Sequence, residues 1–187
     1  MRLGKVSLLL LLLTLQSCFI RPADHKDIND SNLVFTAKVI RILDGDTMEV
    51  LYRHQPIKIR LAHIDCPEKS KLQPYGNKAK KALSDLCFGQ VVSVQGQKYD
   101  RYKRLIAVVI NHNKQVVNQE MIKRGMAWHF KKYSSDPLYA QLEITARKNK
   151  IGLWQEVGAV APWEWRETKH HFTKEPYKTA FRKGLLR

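Results

Sequence analysis

Apolar and polar positions begin to alternate at Val34. Phe35, Ala37, Val39 and Ile42 alternate loosely with polar residues, Asp44-Gly45-Asp46 makes a turn, and Met48 to Tyr52 resumes a two-residue period. Successive strand side chains point to opposite faces, so this spacing predicts strand, turn, strand. Gln55-Pro56 turns the chain again, and Ile57-Lys58-Ile59-Arg60-Leu61-Ala62 alternates cleanly up to a break at Cys66-Pro67-Glu68. Three meandering strands are expected first. From Tyr75 to Cys87 the period changes: Ala79, Ala82, Leu83, Leu86 and Cys87 recur at helical spacing among lysines, and Gly89 follows as a cap.

Val91–Val94 and Leu105–Ile110 read as a strand pair joined by a long polar connection, with a tight turn at His112-Asn113. Val117–Lys123 is a short helix closed by Gly125. A longer helix follows Ser134-Ser135-Asp136-Pro137, which offers N-cap residues and a proline for the first turn; Leu138, Leu142, Thr145 and Ala146 form its expected buried stripe, and Gly152 stops it. Meander, helix, two strands and two helices suit an α+β, β-rich chain: a small Greek-key barrel with about three helices packed on it.

The ends differ from this middle. Arg2 and Lys5 precede an apolar run from Val6 to Leu15, too short to span a bilayer but suited to a signal-peptide core. It ends in Leu15-Gln16-Ser17-Cys18, which resembles a bacterial lipobox. Residues 1–17 are therefore expected to be a signal, with Cys18 lipidated and anchoring an exported protein to a membrane. Residues 18–33 read as a polar tether and 34–165 as the folded domain. Residues 166–187 hold seven Lys or Arg against two Asp or Glu and read as a basic tail. Trp163 and Trp165 are expected to dock the terminal arm on its own domain in preference to stacking on bases.

Lys and Arg total 33 against 17 Asp and Glu, a formal net charge of +16, more than solubility requires. A polyanion is the expected partner, with anionic membrane as the competing reading. Three cysteines exclude a disulfide scaffold. Cys66 and Cys87 have no zinc-ligand pattern; a bridge between them is allowed and not required.

In so basic a chain the acidic turns stand out. Asp44 and Asp46 lie in one turn, Asp65 and Glu68 in another just past Arg60. Alone, Asp-Gly-Asp is ordinary hairpin chemistry. If the two turns adjoin on a barrel rim, four carboxylates converge; they repel one another unless a cation intervenes, and their hard oxygens favour Ca²⁺ or Mg²⁺. Arg60 and Arg104 are candidate phosphate clamps, because a planar guanidinium can bond two phosphate oxygens at once.

These residues carry a resemblance. Ile42-Leu43-Asp44-Gly45-Asp46-Thr47, Ile59-Arg60-Leu61-Ala62-His63-Ile64-Asp65-Cys66-Pro67-Glu68, Tyr75-Gly76, Asp100-Arg101-Tyr102-Lys103-Arg104 and Gly152-Leu153-Trp154 occur in the order seen in the staphylococcal nuclease (thermonuclease) family, across roughly residues 34 to 155. The resemblance implies a five-stranded OB-fold barrel, a monomer, and a Ca²⁺-dependent endonuclease acting on DNA and RNA with little sequence specificity, Mg²⁺ or another divalent cation being an alternative.

Carried over residue by residue, it implies that Asp46, Asp65 and the Cys66 main-chain carbonyl hold the metal and that Asp44 fixes waters on it. Glu68 would orient or deprotonate the attacking water, and Arg60 and Arg104 would bind phosphate and balance transition-state charge. Arg101, Tyr102 and Tyr133 would contact substrate, with Phe130 an alternative to Tyr133 for stacking. His63 is expected to be structural. Cys66 stands where the family has threonine and Lys103 where it has glycine; neither change removes a catalytic side chain. The rival reading is a non-catalytic OB-fold lipoprotein that binds single-stranded nucleic acid through a basic groove and aromatic stacking.

Overall fold

The computed structural model describes residues 33–69 and 73–172. The expected signal segment, Cys18, most of the tether and the tail beyond residue 172 lie outside the described residues. Among those described, no helix is long and apolar enough to cross a membrane.

Three strands follow one another as a meander: β1 (Leu33–Asp44), β2 (Thr47–Tyr52) and β3 (Gln55–Leu61). A two-residue strand, β4 (Ile64–Asp65), precedes α1 (Gly76–Cys87), then β5 (Val91–Tyr99) and β6 (Leu105–Ile110). Helix α2 (Val117–Lys123), the short β7 (Trp128–His129), α3 (Pro137–Lys148), a 3-10 turn (Gly152–Gln155) and α4 (Pro162–Phe172) complete the order. The sheet closes as β1-β2-β3-β6-β5, the five-stranded barrel expected, with α1, α2 and α3 as its helices.

The two-residue period determines what fills the barrel. Phe35, Ala37 and Val39 of β1, Met48 and Val50 of β2, Ile59 and Leu61 of β3, Val92 and Val94 of β5, and Leu105, Ala107 and Val109 of β6 are buried in one cluster. Each large apolar side chain so enclosed contributes about 1.5–3 kcal/mol. All barrel pairings are antiparallel except β3 with β6, which is parallel and short. Asn118, fully buried on α2, reinforces that junction: its Oδ1 accepts from Val109 N at 3.0 Å, and its Nδ2 donates to Ala62 O at 3.0 Å and Ala107 O at 3.1 Å.

Three elements depart from expectation. β5 runs five residues beyond Val94, because Lys98 and Tyr99 pair with Ile106 and Leu105 across a register shift, and the polar connection shrinks to a turn at 100–104. The buried face of α3 is Tyr139, Glu143 and Ala146; Leu138 and Thr145 are exposed and Leu142 is half-buried. Asp136 caps that helix by accepting from Leu138 N at 2.8 Å, and Tyr139 packs on the His63 ring, which turns Leu138 outward. Finally, α4 crosses residue 165, so Arg166 sits in a packed helix and not in a free tail.

Candidate active site

The first acidic turn is pinned to the second by backbone contacts. Asp46 O accepts from Leu61 N at 2.9 Å, and Asp46 Oδ2 accepts from Cys66 N at 3.0 Å. Gly45 lies so close that a Cβ there would stand 2.8 Å from the Cys66 Cβ and 2.7 Å from the Ala79 Cβ. Only a residue without a side chain lets the two turns meet. Asp44 Oδ1 accepts from Gly45 N at 2.9 Å and Lys69 N at 3.4 Å, tying the outer carboxylate to the chain just past Glu68.

Arg60 stands between the carboxylates. Its Nη2 is 2.8 Å from Asp65 Oδ1 and 3.1 Å from Asp46 Oδ2, while Nη1 donates to Leu61 O and Ile64 O, both at 2.8 Å. Its side chain is only 12% exposed. Burial alone would lower the guanidinium; the charges of Asp46 and Asp65 reverse that and raise it. Burial, followed by the charge of Asp46, pushes the Asp65 carboxyl up to about 6 against the pull of Arg60 and Arg166. Asp44 is also raised, chiefly by burial.

Glu68 follows Pro67 in the loop after β4. Its N–H donates to Gln73 Oε1 at 3.0 Å, and Gln73 Nε2 donates to Val160 O at 2.8 Å, so buried Gln73 links the Glu68 loop to the segment before α4. From α4 comes Arg166. Its Nη1 lies 2.6 Å from Glu68 Oε1, and its Nη2 lies 2.7 Å from Asp65 Oδ2. By its sequence this residue falls in the basic tail; the Trp163/Trp165 arm immediately before it is the one signal that it docks.

Arg104 occupies the turn between β5 and β6, two positions before Ile106, which pairs with Arg60. Its ion pair is with Asp100, whose Oδ2 is 2.7 Å from both Nε and Nη2. Tyr102 and Arg101 are exposed on the same turn, with both Arg101 and Arg104 over the Tyr102 ring. Tyr133 is 69% exposed and meets Phe130 edge-on; Phe130 lies flat against Trp163, which also meets Trp128 edge-on. Phe130 therefore has a face committed to the arm, and Tyr133 is the more open ring. Together with Lys131, Lys132, Trp163, Arg166 and Glu167 they line an open cleft of about 530 Å³. His63 donates to or accepts from Ser134 Oγ at 2.9 Å and packs on Tyr139, and burial lowers its pKa.

The donors suit a hard cation in kind: Asp46 and Asp65 supply carboxylate oxygens and Cys66 a carbonyl, with no thiolate or imidazole among them. Cys66 is buried with its thiol held well above the ordinary value, chiefly by burial, which leaves the sulfur protonated. Among the described residues no three His, Cys, Asp or Glu side chains converge as a ready ligand set, so water would complete the coordination.

The staphylococcal nuclease homologue family model matches residues 58–156, from β3 through the 3-10 turn. The chain belongs to the staphylococcal nuclease family. Within it, the chain is similar to an uncharacterized endonuclease of Haemophilus influenzae, 46% identical over 132 residues that cover 70% of this chain and 72% of that one. It is 38% identical to a micrococcal nuclease of Shigella flexneri over 149 residues, 74% of this chain and 84% of the relative. A protein named ParB from Escherichia coli is 38% identical over 144 residues, 72% and 80% of the two chains. The matched family segment contains Arg60, Asp65, Cys66, Glu68 and Arg104; Asp44, Asp46 and Arg166 lie outside it.

Proposed function

We propose that this chain is a divalent-cation-dependent endonuclease that hydrolyses the phosphodiester backbone of DNA and RNA with little regard for sequence. The observation that carries the reading is the meeting of the two acidic turns: Asp46 and Asp65 share Arg60, and Asp65 and Glu68 share Arg166. Family membership and the nuclease names of its relatives support it.

Asp46, Asp65 and the Cys66 carbonyl would hold the cation, Ca²⁺ by family and Mg²⁺ by the same hard-donor chemistry, with Asp44 ordering its waters. When bound, that cation polarises a phosphoryl oxygen and acidifies water. Glu68 orients the attacking water or takes its proton. Arg104, on the exposed turn, bonds phosphate oxygens as negative charge grows there, and Arg60 contributes positive potential from beneath the carboxylates. Arg101, Tyr102 and Tyr133, all exposed, would contact the phosphate, sugar and base of the substrate. Backbone contacts carry no base information, which is why little sequence preference is expected.

The basic start, short apolar run and Cys18 support export and lipid anchoring to a membrane. A non-catalytic nucleic-acid-binding barrel would share the +16 charge, but buried carboxylates on the rim weaken polyanion binding and have no use in it. Incubation with single-stranded DNA and RNA, each with Ca²⁺, Mg²⁺ or chelator, tests the reading. Cleavage of both polymers that chelator abolishes is expected; binding without cleavage in every condition would contradict it.

A further inference from the structure

Arg166 is 101 residues from Asp65 and 98 from Glu68 in sequence, and it reaches both because α4 is docked firmly. Pro162 starts the helix, Ala161 is buried, and Trp163 lies flat on Phe130 with its edge to Trp128. Residue 166 is three positions on from Trp163, hence on the same side of the helix. The guanidinium then spans two carboxylates: Nη2 to Asp65 Oδ2 at 2.7 Å, Nη1 to Glu68 Oε1 at 2.6 Å and to Asp65 Oδ1 at 3.5 Å.

The consequence falls on Asp65. Its Oδ1 already receives Arg60 Nη2 at 2.8 Å and its Oδ2 receives Arg166, so both oxygens of a side chain only 3% exposed carry a guanidinium. A hard cation needs one of those oxygens at close range, and two positive groups cannot share one desolvated carboxylate oxygen without strong repulsion. Arg60 is the more enclosed and is anchored by two carbonyls; Arg166 is 32% exposed and has open solvent to move into.

We propose that Arg166 is the resident counter-charge of the metal-free site and that cation binding displaces it from Asp65, so that α4, outside the family-matched segment, sets the affinity of the centre for its cation. This rests on the cation reading given above. It makes Arg166 a positioning residue: in the free protein it holds Asp65 and Glu68 together, and its departure from Asp65 accompanies loading of the site.

Calcium titration of the purified full chain in detergent by calorimetry, beside Arg166→Gln and Arg166→Lys, tests this without reference to turnover. Arg166→Gln removes the competitor and is expected to bind Ca²⁺ about tenfold more tightly. Arg166→Lys keeps the charge but cannot span two carboxylates, and an intermediate gain is expected. Equal or weaker binding by Arg166→Gln overturns the inference, as does Arg166→Lys binding like the parent, which would mean a diffuse field in place of direct displacement. If the parent and both variants bind no cation, the cation reading itself fails and the inference falls with it.

Discussion

Asp100 grips Arg104 with both carboxylate oxygens: Oδ2 lies 2.7 Å from Nε and Nη2, and Oδ1 accepts from Arg104 N at 3.0 Å and Tyr102 N at 2.8 Å. One acidic side chain thus fixes both the turn and the direction of the arginine it presents. Asp100→Asn is expected to lower turnover roughly tenfold by loosening that aim, with the barrel intact by circular dichroism. Burial would raise the Asp100 pKa, but the bonds from Arg104 and Tyr102 prevail and lower it from 3.8. Because the folded pKa lies below the unfolded one, the associated stability is present above pH 3.8 and is lost as pH falls through the depressed folded value. Acid unfolding curves of the parent and Asp100→Asn should therefore converge at low pH.

Arg60 and Arg104 should separate when stability and activity are measured together. Arg60 is buried, satisfies two carbonyls and neutralises two carboxylates, so Arg60→Ala strands charges in the interior and should cost about 3–5 kcal/mol. Arg104 is 28% exposed, bonds no carbonyl with its side chain and has one carboxylate partner, so Arg104→Ala should cost less, about 1–2 kcal/mol. Urea unfolding checks the difference; equal losses would contradict it.

Lys103 adopts φ +59° in the turn whose ends are closed by Asp100 N donating to Arg104 O at 2.9 Å. An L-residue there carries about 1–2 kcal/mol of backbone strain, partly offset by the greater chain entropy that glycine loses on folding. Lys103→Gly should therefore raise stability by about 0.5–1 kcal/mol, read as a higher urea midpoint, with Arg104 still in place.

Cys66 and Cys87 are both free and buried, and burial pushes the Cys87 thiol up to about 12. Neither should react with a thiol reagent at pH 8 in the native protein, and both should in denaturant. Under the proposed lipidation Cys18 stays silent in both conditions. A disulfide between Cys66 and Cys87 would leave the denatured titre at zero.

The barrel was legible because its first three strands alternate apolar and polar residues, loosely in the first and cleanly in the third, and its turns carry their own chemistry at Asp44-Gly45-Asp46 and Gln55-Pro56. The carboxylates and arginines were legible because they lie in contiguous motifs. Asn118, Gln73 and Arg166 were not. Each acts across 50 or more residues of chain or through a bond to a backbone carbonyl, and no local pattern marks a polar side chain that finds its partner only when distant segments dock. The α3 stripe was misread for a related reason: Leu138 fits the helical period, yet the ring of His63 selects Tyr139 as the inward residue.

Under the proposed function, Glu68 and Arg104 act on a phosphodiester held at the turns where Asp46 and Asp65 meet. Single-turnover cleavage of an end-labelled DNA strand by the parent, Glu68→Gln and Arg104→Ala, in Ca²⁺, tests it most directly. Cleavage by the parent is expected, with rates lowered by roughly 10²–10³ in each variant and substrate still bound; variants that cleave at the parental rate would rule these roles out.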